Sequence, residues 1–142
     1  MATNNYFTKL VGKGITFPIQ ITKDDNGKTG VYPVNGDFEL VRNNISSILY
    51  YLIGQRFRQE EFGNRLWECI EEQNTQALSY LIKSFIRGAI EAWEQRVKLK
   101  SITVTRNGAK IDVQVNYQVV GSESNQYLYL TYDSMDNSLN SY

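Results

Sequence analysis

The chain has 142 residues, of which 42% are hydrophobic and 21% charged, and its 15 basic and 15 acidic residues give a formal net charge of zero. This length suits one globular domain with one core, and a neutral chain has no overall field that would concentrate nucleic acid or an anionic membrane. Histidine is absent and Cys69 is the only cysteine, which excludes histidine-dependent catalytic triads, an internal disulfide and a thiolate metal cage. We therefore expect no metal and no cofactor, and a buried Cys69.

The N-terminal part predicts an arm, a strand and a loop. The first seven residues carry neither a basic lead nor an apolar run, so we expect no secretory signal, no membrane anchor and synthesis in the cytoplasm. Further on, Ile15, Phe17, Ile19 and Ile21 alternate with other residues, which predicts a strand with one buried face. Residues 23–30 are turn formers and predict an exposed loop.

A first helix is predicted after Asp37, whose carboxylate can cap it, and Gly54 is placed to end it in a left-handed conformation. Its apolar stripe consists of Val41, Ile45, Ile48, Leu49 and Leu52. Residues 55–63 are charged and irregular. Residues 65–70 predict one or two helical turns that bury the side chains of Leu66, Trp67 and Ile70.

The longest helix is predicted from Asn74 or Thr75 to about Glu94. Its broad apolar face consists of Leu78, Leu81, Ile82, Phe85, Ile86, Ala89, Ile90 and Trp93. Such a face is typical of a central core helix. Gly88 in its interior costs helix stability, so we expect it to mark a close crossing with a neighbouring element.

After this helix the period changes to 2. Arg96, Lys98 and Lys100 alternate with apolar residues, which indicates the solvent face of a strand. Asn107-Gly108 predicts a two-residue hairpin. On the predicted return strand, Ile111, Val113, Val115, Tyr117 and Val119 alternate with polar residues.

A turn at residues 121–125 leads to a third predicted strand, 126–132, and residues 133–142 are polar and predict a flexible tail. Helices followed by consecutive strands predict an α+β fold, with the helices packed on one face of a small antiparallel meander. We expect one domain over residues 12–132, preceded by an arm over 1–11. Since the long helix is expected to cover the first two strands, truncation after Ser124 is predicted to leave the core folded.

Three groups of motifs occur in the order and spacing of a known family. They are Gly12-Lys-Gly-Ile-Thr-Phe-Pro18; Ile48-Leu49, Gly54-Gln-Arg56, Phe62-Gly63, Arg65-Leu66 and Glu72-Gln-Asn74; and Ala89-Ile90 with Trp93-Glu-Gln-Arg96. Over residues 12–119 the chain resembles the baseplate wedge family of contractile phage tails, type VI secretion baseplates (TssE) and extracellular contractile injection systems. Two positions depart from the family pattern: Gln55 stands where the family often has Glu, and Gln95 replaces a proline.

The resemblance implies a non-catalytic structural subunit, present in several copies of a sixfold assembly, on which a sheath is built. Its partners would be other wedge subunits and the sheath protein, with tube or hub proteins as further candidates, and it would bind no nucleic acid and insert into no membrane. The family's wedge contact falls on Glu94, Gln95 and Arg96. Its sheath contact, made by strand addition, falls on Tyr127, Leu128, Tyr129, Leu130, Thr131 and Tyr132.

Both sites have a simpler alternative. Glu94 and Arg96 are two residues apart, so in a helix they would not face each other and each could pair with another chain; the alternative is an ordinary solvated helix end. Residues 126–132 carry apolar area on both faces, which suits an open strand that another chain can pair with. The alternative is that tyrosines simply favour strands.

Two other functions deserve comparison. A lysozyme-like glycoside hydrolase needs two carboxylates, one of them with a raised pKa, and the candidates are Glu60, Glu61, Glu68, Glu71 and Glu72. They lie near Arg56, Arg58 and Arg65, which would keep them ionised. A small-molecule binding module would use Trp67, Trp93 and the tyrosines, although aromatic residues at helical spacing more often form a core.

Overall fold

The structure is a computed structural model that describes residues 11–15, 19, 21–31, 38–70, 73, 75–133 and 138–141. Its helices are α1 (Phe38–Tyr50), α2 (Leu66–Ile70) and α3 (Gln76–Trp93). Its strands are β1 (Thr22–Lys23), β2 (Thr29–Gly30), β3 (Val97–Asn107), β4 (Lys110–Val119), β5 (Asn125–Asp133) and β6 (Ser138–Ser141). Among these residues, β1 and β2 form a small hairpin, and the other strands form an antiparallel sheet in the order β3-β4-β5-β6. The predicted α+β class and meander are confirmed.

The inner face of the sheet follows the predicted alternation. Every inward side chain of β4 from Ile111 to Val119 is buried, and on β5 the buried side chains include Leu128, Leu130 and Tyr132. The predicted hairpin is present one residue later, because Asn107 pairs with Lys110 and the loop is Gly108 and Ala109. Gly108 has a φ of 61°, which a type II′ turn requires at its first loop position.

The helices pack on this inner face in one core. In α1 the buried residues include Val41, Ile45, Ile48 and Leu49, as predicted, but the helix ends at Tyr50 and Leu52 lies beyond it. Asp37 lies outside the described residues. Gly54 is left-handed, with a φ of 93°, yet it belongs to the following loop rather than to the helix end.

The start of α3 is the predicted one. The hydroxyl of Thr75 accepts a hydrogen bond from the Leu78 N–H at 3.2 Å, and the helix ends at Trp93 with Glu94 as its C-cap. The expected close crossing at Gly88 is wrong, because Gly88 is exposed and a Cβ there would meet only open space. None of the described helices is both long enough and apolar enough to cross a bilayer.

The predicted N-terminal strand is wrong in its described part. Ile15, Ile19 and Ile21 are 51%, 66% and 71% exposed, and the first strand begins only at Thr22. Alternation buries a face only where a strand joins a sheet against a core, and the β1–β2 hairpin is not part of the large sheet. Phe17 lies outside the described residues.

Segments near both ends of the chain contribute more to the core and the sheet than their composition predicted. Val11, assigned to the N-terminal arm, is 3% exposed and belongs to the hydrophobic core. In the region predicted to be a flexible tail, β6 pairs with the second half of β5, from Leu130↔Ser141 to Asp133↔Ser138. Backbone pairing does not require apolar side chains, so a polar segment can complete a sheet without the alternation that predicts strands.

Candidate docking surfaces

A buried ion pair lies where α3 ends. Glu94 is 3% exposed, and its two carboxylate oxygens accept hydrogen bonds from Arg96 Nε at 2.7 Å and Arg96 Nη2 at 2.6 Å. Asn44 of α1 donates to the same carboxylate at 3.3 Å, and Arg96 also donates to the carbonyl oxygen of Val11. The hydrogen bonds that the Arg96 guanidinium donates to the Glu94 carboxylate raise the pKa of Arg96. The pair thus links α1, the end of α3 and the N-terminal segment.

The premise that these two charges would not face each other is wrong. Glu94 has φ −127° and ψ 82°, so the chain has left the helix before it reaches Arg96. Outside a helix, two side chains that are two residues apart can lie on the same side. The exposed member of this corner is Gln95, between the paired charges.

A groove opens beside the ion pair. Its volume is about 460 Å³, and its lining residues are Asn44, Ser47, Ile48, Arg56, Phe62, Trp93, Glu94, Gln95 and Arg96. The rings of Phe62 and Trp93 meet edge to face, with centroids 5.1 Å apart, and the Arg56 guanidinium lies 4.3 Å from the centre of the Phe62 ring. With Glu94 neutralised by Arg96, the lining keeps the positive charge of Arg56.

The position of Phe62 in this groove depends on Gly63 and Asn64. Gly63 has a φ of 118°, and a Cβ on it would lie 2.4 Å from the carbonyl oxygen of Tyr51, so only glycine fits. Buried Asn64 donates to the carbonyl oxygens of Ile48, Leu49 and Tyr51 at 3.0, 2.7 and 3.1 Å. These are carbonyl groups that the end of α1 leaves without helical partners.

Asn64 also starts the next helix, because its side-chain oxygen accepts a hydrogen bond from the Leu66 N–H at 2.9 Å. One side chain therefore joins the end of α1 to the start of α2. Sequence analysis missed Asn44, Asn64 and the stacking of Arg56 on Phe62. The available signal for Asn64 was its place inside the Phe62-Gly63 to Arg65-Leu66 motif.

Gln55, which departs from the family pattern, also has a local role. Its side-chain oxygen accepts a hydrogen bond from the Leu52 N–H at 3.1 Å. A glutamate carboxylate could accept the same bond, so the exchange preserves this contact.

The second surface is the edge of β5. Tyr127 and Tyr129 are 46% and 48% exposed and point away from the core, whereas Leu128, Leu130 and Tyr132 are buried within it. The hydroxyl of Tyr132 donates to the carbonyl oxygen of Leu49 at 3.0 Å, and burial raises its pKa. The apolar area on the inner face is therefore used by the chain's own core.

The side of β5 that faces away from β4 is covered only in part. The pairing with β6 involves the residues from Leu130 to Asp133. None of the described strands pairs with residues 125–129 on that side, although β4 pairs with β5 from Asn125 to Asp133 on the other side. Within the described structure, β6 therefore pairs with one half of the predicted strand-addition site, and no described strand pairs with the other half.

The carboxylates considered for hydrolysis do not meet in a cleft among the described residues. Glu68 pairs with Arg65 at 2.8 Å on the surface, and this contact raises the pKa of Arg65. Glu60 and Glu61 are exposed, and Glu71 and Glu72 lie outside the described residues. The described part also contains no cluster of three or more potential metal ligands.

The two aromatic residues considered for a ligand pocket are separated. Trp67 packs on the core with its ring centroid 5.5 Å from that of Tyr132, while Trp93 is partly exposed in the groove. Cys69 is buried, as expected.

The structure is thus a small α+β domain with two candidate docking surfaces. Residues 37–124 match the family model described as baseplate wedge protein gp25. The chain therefore belongs to this family, as its motifs predicted, and family membership implies association with other baseplate components in a phage or tail-like particle.

One curated relative is baseplate protein W of Escherichia phage P2, which is 34% identical over 71 residues. That match covers 50% of this chain and 62% of the relative, so the chain spans less than two thirds of the relative's length.

Three solved structures share the fold. A chain of the anti-feeding prophage (AFP) baseplate has a TM-score of 0.70 at 20% identity, with 84% of this chain and 94% of that chain covered. A chain of the post-contraction pyocin R2 baseplate has a TM-score of 0.58 at 17% identity, with coverages of 72% and 100%. A Geobacter sulfurreducens protein described as a tail lysozyme has a TM-score of 0.61 at 21% identity, with coverages of 66% and 86%.

Proposed function

We propose that this chain is a non-catalytic structural subunit of a contractile-tail baseplate. It docks to other wedge subunits through the corner at Glu94, Gln95 and Arg96, and it joins the first sheath ring by strand addition at β5. The observation that carries the proposal is that β6 pairs with only the second half of β5, so that no described strand covers residues 125–129 on that side. The subunit is made in the cytoplasm and occupies a sixfold particle, in which tube or hub proteins are further candidate neighbours.

Strand addition at β5 would use the backbone first. Unpaired N–H and C=O groups along residues 125–129 can pair with an incoming sheath strand, which gives affinity without a particular side chain. Tyr127 and Tyr129 supply exposed aromatic area on the outer face of the same segment. Because successive side chains alternate in direction, these tyrosines also favour one register over its neighbour.

At the corner, the ion pair between Glu94 and Arg96 limits which side chains a partner can bind. Glu94 and Arg96 already satisfy each other, so they act mainly by holding Trp93, Gln95 and the groove in place. A pre-organised groove loses less side-chain freedom on binding than flexible charges would. The partner contact therefore falls on the groove and on exposed Gln95 rather than on the buried carboxylate.

Catalysis has little support from the described geometry. Glycoside hydrolysis needs a protonated and an ionised carboxyl group facing each other across a substrate, and here the described glutamates are exposed or paired with arginine. The lysozyme description belongs to a structure that shares only the fold with this chain. A peptidoglycan-clearing assay decides between the two functions: we expect no clearing, and clearing lost in Glu68→Gln would establish a hydrolase.

The strand-addition role can be tested with single proline substitutions at Gln126 and Tyr127. In an antiparallel strand, consecutive N–H groups point to opposite neighbours, so one proline removes a bond to β4 and the other removes a donor from the open side. We expect the variant whose proline removes the donor on the open side to keep a near-wild-type melting temperature. Electron microscopy of its particles should show tubes and baseplates without sheath. Fully sheathed particles from that variant would reject strand addition.

A further inference from the structure

The loop between α1 and α2 presents an exposed aromatic residue between two cations. Phe57 is 87% exposed, the largest exposed fraction among the large hydrophobic side chains that the structure describes. Arg56 and Arg58 flank it, and we call these three residues the basic tip. An apolar ring this exposed has no role in the chain's own core, and single exposed apolar residues need a second feature before they indicate a binding site.

The first such feature is that the tip is held in place by backbone hydrogen bonds. The Gly54 N–H donates to the Glu60 carbonyl oxygen at 2.8 Å, which closes the loop at its base. Within the loop, the Gln59 N–H donates to the Arg56 carbonyl oxygen at 3.2 Å. Phe57 is therefore presented in one backbone conformation, which lowers the entropy lost when a partner binds it.

The second feature is backbone strain at the tip itself. Arg58 has a φ of 66°, and it is the only described residue other than glycine with a positive φ. Its guanidinium lies 5.5 Å from the centre of the Phe57 ring and forms no ion pair with a described residue. An arginine that holds a strained backbone conformation and forms no ion pair with a described residue indicates a contact outside the chain.

The charges around Phe57 indicate the chemistry of that contact. Arg56 stacks on Phe62 and Arg58 stacks on Phe57, and no described carboxylate forms an ion pair with either guanidinium. Arg56 also lines the groove beside the Glu94–Arg96 pair, so the basic tip and the groove form one continuous surface. A complementary partner would offer an apolar pocket with carboxylates at its rim.

We propose that the basic tip is the anchor by which this subunit recognises a neighbouring baseplate subunit, with Phe57 inserted into an apolar pocket rimmed by carboxylates. This inference rests on the proposed docking function, because it assumes that the chain contacts other baseplate subunits. It adds Phe57 and Arg58, which lie outside both the groove at the helix-end corner and the β5 edge, and joins them to the groove residue Arg56. Buried aromatic residues and arginines are the residue types that most often dominate interface energetics.

The test compares two exposed aromatic residues that each lie next to a cation. Tyr80 on α3 is 64% exposed, with the Lys83 ammonium 5.8 Å from its ring centre, so Tyr80→Ala is the matched control for Phe57→Ala. Binding to the purified wedge subunits encoded beside this chain is measured by titration calorimetry. We expect Phe57→Ala to weaken binding about 30-fold and Tyr80→Ala to leave it within about twofold.

A second variant separates loop strain from recognition. Arg58→Gly accepts the positive φ without strain and removes one cation, so we expect a slightly higher melting temperature together with binding several-fold weaker. Salt should weaken wild-type binding more than it weakens binding of Arg58→Gly, since the variant has lost one charge contact. Equal affinities for wild type, Phe57→Ala and Arg58→Gly would overturn the inference.

Two further outcomes of the calorimetry distinguish failure of the proposed docking function from failure of the anchor. If wild type binds no wedge subunit, the proposed docking function fails and the anchor fails with it; if wild type binds and Phe57→Ala binds equally well, only the anchor fails. The third measurement uses vesicles of phosphatidylcholine with phosphatidylglycerol. Vesicle binding that is lost in Phe57→Ala, without an effect on the wedge subunits, would assign the tip to a membrane surface and reject a protein partner.

Discussion

The helix-end corner and the sheet edge would offer a partner two different kinds of surface. At the corner, the charges of Glu94 and Arg96 are satisfied inside the chain, and the surface that remains is a groove shaped by side chains. At the edge, the backbone of residues 125–129 has an open side, and the side chains on its inner face belong to the core. A substitution of Glu94 or Arg96 is therefore expected to alter stability and docking together, whereas a substitution that blocks the open edge is expected to spare the core.

The largest effect is expected from removing β5. Sequence analysis predicted that truncation after Ser124 would leave the core folded, whereas the structure places Leu128, Leu130 and Tyr132 of the removed strand in the core, each at most 1% exposed. Truncating one large core side chain costs roughly 2–5 kcal/mol, and a whole domain is stable by about 5–15 kcal/mol. We expect the truncated chain to be unfolded, measured by loss of a cooperative thermal transition; a native-like transition would show that α3 suffices to cover β3 and β4.

The next effect is at the base of the groove. Gly63→Ala places a Cβ 2.4 Å from the Tyr51 carbonyl oxygen at a positive φ, so we expect a loss of roughly 2–4 kcal/mol in the free energy of unfolding. Gly88→Ala is the matched control, since Gly88 lies in open space on α3 and alanine should stabilise the helix by about 0.5–1 kcal/mol. Chemical denaturation measures the free energy of unfolding of both variants. If Gly63→Ala and Gly88→Ala destabilised the chain by similar amounts, the steric requirement for glycine at position 63 would be wrong.

The corner itself comes third. Glu94→Ala leaves the partly exposed Arg96 guanidinium and the Asn44 amide without their acceptor, and we expect a loss of about 2–3 kcal/mol in the free energy of unfolding. Gln95→Ala changes an exposed neighbour and should stay within about 0.5 kcal/mol of wild type. Docking of Glu94→Ala should be compared with wild type only at temperatures where both are folded. Equal stability of the two variants would mean that the ion pair adds nothing.

A smaller effect is expected at alkaline pH. Burial raises the pKa of Tyr117 to about 12, and burial also raises the pKa of Tyr132. Because these folded-state values lie above the unfolded value of about 10, their contribution is complete below pH 10 and is lost as the pH rises towards 12. With solvent screening allowed for, Tyr117 accounts for about 1 kcal/mol of this loss. Tyr117→Phe should flatten the stability profile between pH 10 and 12, and an unchanged slope would contradict this.

The smallest effect is expected from restoring the family proline at the corner. Gln95 is exposed and follows the C-cap, where the last cap bond is made by the Glu94 N–H to the Ile90 carbonyl oxygen. Glu94 already has the extended φ that a residue before proline prefers. We expect Gln95→Pro to change the free energy of unfolding by less than about 1 kcal/mol. A larger loss, measured by denaturation, would show that glutamine permits a corner geometry that proline cannot adopt.

The sequence by itself determined the α+β class, the start and end of α3, the alternation along β4, and membership of the baseplate wedge family. These features depend on the spacing of apolar residues along the chain and on short motifs, and both can be recognised from residues that are close in sequence. The structure alone decided that Glu94 pairs with Arg96, that Asn64 joins α1 to α2, and that β6 covers half of the β5 edge. The contacts that surround the Glu94–Arg96 pair depend on how the elements pack: Asn44 meets Glu94 across 50 positions and Arg96 meets Val11 across 85, separations at which a local pattern carries no information about distance.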